Sequence, residues 1–80
     1  MPSLSELLAQ ARAKRDELLR IATLRIDPLQ DAVERKKATA AEAELLGQWK
    51  DYRIELNRID QQGEFPISIN WPAAPSEPTP

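Results

Sequence analysis

The chain predicts an all-α fold: an antiparallel helical hairpin with a kinked long first helix, a shorter second helix and an extended proline-rich C-terminal tail. Three observations predict it. Apolar residues keep one helical phase from Leu4 to Val33, a second amphipathic run with an aromatic seam occupies residues 40 to 60, and a capping pair stands ahead of each run. Residues 1–62 are thus expected to form the hairpin and residues 63–80 the tail.

The first helix should start at Ser3. Ser3 and Glu6 have capping-box spacing, in which the serine oxygen accepts an orphaned N–H and the glutamate reaches back. Leu4, Leu7, Leu8, Ala11, Leu18, Ala22, Ile26, Leu29 and Val33 then form a stripe about 100° wide. Arg15 interrupts it, either as a snorkelling side chain whose stem covers apolar surface, the commoner behaviour, or as a paired arginine at an interface. Asp27-Pro28 raises a question of continuity, because proline removes one backbone bond and restricts the residue before it. The stripe stays in register across the break, which predicts a kink near residues 24–28; a sharp turn there is the competing reading. Arg35, Lys36 and Lys37 end the run with cations, which complement the dipole of a last turn.

Thr39 and Glu42 form a second capping box, opening a helix that should reach Ile59 or Asp60 before Gln61-Gln62-Gly63 closes it. The short link makes the two helices antiparallel. Leu45, Trp49, Tyr52, Leu56 and Ile59 share one narrow face, with Asp51, Glu55 and Arg58 on its flank. Trp49, Tyr52 and Leu56 are the expected hairpin core. Opposite the seam, Ala43, Gly47 and Ile54 are either a small-residue groove for close approach of another helix or a tolerated glycine beside a stray isoleucine.

The helices are unequal. At 1.5 Å per residue the first spans about 50 Å and the second about 30 Å, so the second runs out near residues 14–17. Leu4, Leu7, Leu8 and Ala11 then need the tail or another chain to cover them. In the tail, Phe65, Ile67, Ile69 and Trp71 alternate with Pro66, Ser68 and Asn70, a period-two pattern that puts the large side chains on one face of an extended segment. Pro66 and Pro72 forbid a central strand but allow an edge strand or a segment laid over a groove. The last eight residues are proline-rich and expected to be disordered.

Composition narrows the function. The 80 residues contain no cysteine and no histidine, which removes disulfides, thiolate metal sites and the commonest general base. The carboxylate pairs Asp16/Glu17, Asp31/Glu34, Asp51/Glu55 and Glu42/Glu44 lie on helices where a solvated face explains them. No catalytic, metal or cofactor-binding residue is therefore expected, and an enzyme is the first reading rejected. A net charge of −2 with interspersed signs gives no footprint for nucleic acid, and no stretch reads as a membrane span.

Several ordered blocks carry a resemblance. Leu45-Leu46, Trp49-Lys50, Tyr52-Arg53, Leu56-Asn57-Arg58 and Asp60 are followed by Ile69-Asn70-Trp71-Pro72-Ala73-Ala74-Pro75. Upstream stand Pro28-Leu29-Gln30-Asp31-Ala32-Val33 and Ala38-Thr39-Ala40-Ala41-Glu42. Together, over about residues 15–75, they resemble the carboxy-terminal region of the tail fibre assembly proteins of tailed bacteriophages, whose pattern is a leucine pair, W-K-x-Y-R, L-N-R-x-D and a closing W-P. The resemblance implies a chaperone that binds the tip region of a phage tail fibre and helps it fold or trimerise, acting in the host bacterial cytoplasm and in some members staying on the virion. It also implies family-motif and hairpin-core roles for Trp49, Tyr52, Arg53, Leu56, Asn57, Arg58 and Asp60. Family members usually carry a further amino-terminal domain, so this chain is expected to be a reduced chaperone that uses its tail, or a module whose partner supplies the rest.

Residue pattern and resemblance meet on one expectation. Leu4, Leu7, Leu8, Phe65, Ile69, Trp71 and Pro72 should include the contacts to a tail fibre protein or to a second copy, the tail adding to a sheet edge of the fibre. The competing reading has Phe65, Ile69 and Trp71 fold back over Leu7, Leu8 and Ala11 to close the domain, which burial of about 1.5–3 kcal/mol per large side chain favours. The alternative function is a dimerising hairpin without a client, joined through Ala43, Gly47 and Ile54 into a four-helix bundle.

Overall fold

A computed structural model describes residues 1–75. Two α-helices make up most of the described residues: α1, Leu4–Glu34, and α2, Ala40–Leu56, followed by a 3-10 turn at Ile59–Gln61. They pack as an antiparallel hairpin 50 Å long and 23 by 17 Å across. The expected disorder at residues 76–80 lies outside the described residues.

Both helix starts are capped by the expected side chains, but the first box closes only on its serine arm, the Glu6 carboxylate not returning to the Ser3 N–H. Ser3 Oγ accepts the Glu6 N–H at 3.2 Å. At Thr39 both arms of the box close, the Glu42 N–H reaching Thr39 Oγ1 at 3.1 Å and Glu42 Oε1 accepting the Thr39 N–H at 2.9 Å. α1 runs through Pro28 without reversing, so the competing sharp turn does not form. Leu24, whose carbonyl loses its donor to the proline, is exposed, and water can replace the missing bond.

Two boundaries differ from the pattern-based expectation. The last turn of α1 holds no cation, because the helix stops at Glu34 and Arg35, Lys36 and Lys37 belong to the link. Lys36 is left-handed at φ 57°, and the Lys37 and Lys36 N–H groups return to the carbonyls of Ala32 and Val33 at 2.8 and 3.1 Å. That is a Schellman ending with lysine where glycine is usual. α2 stops at Leu56 and not at Ile59 or Asp60. Asn57 ends it by turning its carboxamide onto the Arg53 carbonyl at 3.0 Å, the local side-chain bond that disfavours asparagine inside helices.

The core lies between the second half of α1 and the seam of α2. Ala22 and Ile26 meet Leu46, Trp49, Tyr52 and Leu56, with Leu18, Leu19, Leu29, Leu45 and Trp71 packed around them. The expected seam holds, with Leu46 more deeply buried than Leu45. Trp49 and Tyr52 meet edge to face, their centroids 5.6 Å apart at 80°, an arrangement worth about 0.5–1.5 kcal/mol beyond area burial. Arg15, half-buried, pairs with the neighbouring Asp16 of the same helix at 3.1 Å, so its head is neutralised locally.

Candidate partner interface

The candidate surface is where α1 outruns α2. Beyond Leu56 the chain passes through the 3-10 turn, which buries Ile59, and Gln62 then fixes the return path. Its Nε2 donates to the Asn70 carbonyl and its Oε1 accepts the Asn70 N–H, each at 2.8 Å. Between these two residues the chain is turned and not extended. The Phe65 N–H donates to the Gln62 carbonyl at 3.2 Å, and the Ile67 and Ser68 N–H groups share the Glu64 carbonyl at 2.8 and 3.1 Å. Gly63 and Pro66 are the turn formers of this stretch. The turn breaks the period-two face, leaving Ile67 outside while Phe65, Ile69 and Trp71 are half-buried.

Trp71 therefore returns to α1. It packs on the core cluster, and Lys14 Nζ lies 4.7 Å from its ring centroid, a cation–π contact. Leu7, Gln10, Ala11 and Lys14 from α1 and Pro66, Ile69 and Trp71 from the tail line an open cleft of about 190 Å³. Ala11 is buried and Leu7 and Leu8 are half-buried, so the fold-back closes part of the band that α2 leaves uncovered. Leu4, one turn earlier, stays 61% exposed and Ile67 74% exposed.

The other predicted residues divide by depth. Trp49, Tyr52 and Leu56 are core, and Arg53 is half-buried. Asn57, Arg58 and Asp60, grouped with the core by the motif, lie on the surface because α2 ends before them. Arg58 borders a second, polar cleft of about 290 Å³ with Glu55, Gln62, Asn70 and Pro72. Ala43, Gly47 and Ile54 are all exposed, and a Cβ added at Gly47 would meet nothing within 4 Å. Pattern reading missed Gln10 and Lys14, and it took Gln62 only as part of the helix ending and Pro66 only as a bar to a central strand; none is part of an apolar period.

Glu17 is held below its ordinary carboxylate range by its hydrogen bonds and charge attraction to Arg20, at 2.6 and 3.0 Å, and both side chains are exposed. Burial pushes the Tyr52 phenol up. Among the described residues no group of three histidine, cysteine, aspartate or glutamate side chains could hold a metal ion, and no helix is long and apolar enough to cross a membrane.

The described residues form a helical hairpin with a folded-back aromatic strap and apolar side chains, Leu4 and Ile67, exposed at its surface. The profile of the family described as "Caudovirales tail fibre assembly protein, lambda gpK" matches residues 1–76. The chain belongs to that family. It is 40% identical over 68 residues to the tail fiber assembly protein of Escherichia phage lambda and to Protein TfaD of Escherichia coli K12, in each case 85% of this chain and about a third of the relative (34% and 35%). A probable tail fiber assembly protein of Acyrthosiphon pisum secondary endosymbiont phage 1 is 39% identical over 70 residues, 88% of this chain and 44% of its own length. The chain thus spans less than half the length of these relatives. No solved structure matches it.

Proposed function

We propose that this chain serves in phage tail fibre assembly, in the host bacterial cytoplasm, as a chaperone that binds the tip region of the fibre and assists its folding or trimerisation. The contact is made by the end of the rod, through Leu4, Leu7, Leu8, Phe65, Ile69, Trp71 and Pro72. One observation carries the reading: Leu4 is 61% exposed on the stretch of α1 that α2 does not reach, beside a tail that only half-buries its own large side chains. An apolar end of this kind is what a client completes. Membership of a tail fibre assembly family supports a fibre as the client.

The test is co-expression with a phage tail fibre protein, followed by mass measurement in solution. A fibre-dependent complex and an increased yield of soluble fibre are expected, and Leu4→Ser, at a surface position, should weaken the complex while leaving helicity intact. The alternative, a client-free homodimer through Ala43, Gly47 and Ile54, draws on the open space over Gly47 and the exposure of Ile54. A stable dimer that ignores the fibre and is broken by Ile54→Lys would replace the chaperone reading.

A further inference from the structure

We propose that the cleft between α1 and the tail is an anchor socket, which takes one large apolar side chain of the partner with a carboxylate next to it. The identification of that partner as a fibre rests on the function proposed above; the chemistry of the socket does not.

Size comes first. At about 190 Å³ the cleft is smaller than the roughly 300–1,000 Å³ of small-molecule sites and suits a single side chain. Its walls are Leu7 and Ala11 on one side and Pro66, Ile69 and Trp71 on the other, so the occupant is apolar. Trp71 and Leu7 are only half-buried and have area left to lose to a partner. An aromatic-walled socket that desolvates one anchor is the usual form of an interface hot spot.

Charge decides the neighbour. Gln10 and Lys14 are the two polar residues lining the cleft, and both are exposed. Lys14 lies against the Trp71 ring and forms no ion pair among the described residues, whereas Arg15 and Arg20 are each neutralised by a carboxylate on α1. The ammonium is thus held at the mouth by a ring that offers it no counter-charge. A carboxylate adjacent to the anchor would provide one, with the Gln10 carboxamide as a second donor. The socket also keeps its shape, because the Gln62 clamp on Asn70 fixes the residue that precedes Trp71.

The experiment titrates blocked dipeptides into the isotope-labelled chain and follows the Trp71 indole N–H and the backbone amides of Leu7, Ala11 and Ile69 by NMR. The probes are acetyl-leucyl-aspartyl amide, acetyl-leucyl-lysyl amide and acetyl-alanyl-aspartyl amide. Saturable shifts at these positions are expected, with the leucyl-aspartyl probe about three- to fivefold tighter than the leucyl-lysyl one, the scale of an exposed ion pair. The alanyl probe should be weakest. Lys14→Gln should erase the charge preference and Lys14→Glu invert it, both at an exposed helix position. Absence of saturable shifts, equal affinity for the two leucyl probes, or a preference that survives Lys14→Glu overturns the proposal. Co-expression of Lys14→Glu with the fibre separates the two ideas. Peptide preference without any fibre complex keeps the socket and sinks the fibre reading, while a fibre complex indifferent to Lys14→Glu does the reverse.

Discussion

Gln62 holds the backbone of Asn70 at both its N–H and its carbonyl, with the two bonds equal at 2.8 Å. A side-chain carboxamide here does for one residue what a strand ladder does for many. Asn70 precedes Trp71, so the clamp sets where the indole lands on α1. Through that placement the last turn before the tail controls how much of Leu7 and Ala11 remains open at the far end of the rod.

Gln62→Ala should therefore loosen the tail without melting the hairpin. Each bond contributes about 0.5–1.5 kcal/mol net, and the loss is local. Amide exchange at Asn70 and Trp71 should accelerate while far-UV circular dichroism stays unchanged. Gln62→Glu keeps the acceptor but sets a carboxylate oxygen against the Asn70 carbonyl, so it should be no better than alanine. Unchanged exchange at Asn70 in both variants would show that packing of Trp71 alone holds the strap.

Leu56 and Leu4 should separate stability from contact. Leu56 is fully buried, at 0% exposure, and truncation to alanine should cost about 2–5 kcal/mol, including the cavity left behind. Leu4→Ala, at an exposed site, should change stability by less than about 0.5 kcal/mol. Urea unfolding measures both. In pull-down with the fibre the order reverses at Leu4, where an intact fold should bind less.

How far the chain could be read depends on where the deciding interactions lie. The helix starts, the antiparallel link and the inequality of the helices follow from local signals, as at Ser3, Thr39 and Pro28, and all three appear in the fold. The seam was legible because burial repeats with the helical period. The two helix ends were not. At Lys36 a residue with a Cβ takes a conformation that normally advertises itself as glycine, and at Asn57 a side chain competes with the backbone. In the tail, alternation of large side chains suggested one extended face, but the path is set by Gln62 reaching eight residues ahead, which no period records. Placement of Asn57, Arg58 and Asp60 with the core came from their motif, and a motif does not state depth.

Tyr52 predicts an alkaline limit. Its phenol lies in the core, and burial raises its pKa, because the phenolate would lose water. A group whose folded pKa is raised contributes fully below its unfolded value, near pH 10, and that contribution is lost as pH rises toward the folded value. Thermal melting should thus shift downward above about pH 10. Tyr52→Phe keeps the ring against Trp49 and should flatten that alkaline limb; a limb of equal slope in the variant would show that Tyr52 does not set it.

Lys36 carries a cost that glycine would not. Its φ of 57° closes the Schellman bonds to Ala32 and Val33, and a side chain with a Cβ costs about 1–2 kcal/mol there. Glycine removes that cost but gives back about 0.5–1 kcal/mol through the entropy of the unfolded chain. Lys36→Gly should therefore stabilise the hairpin by up to about 1 kcal/mol in chemical denaturation. Lys36→Ala tests the charge separately, because alanine keeps the Cβ and loses only the ammonium near the end of α1. If strain dominates, the glycine variant gains and the alanine variant does not; if the lysine charge matters more, both lose stability, and the link is held by its electrostatics and not by its backbone.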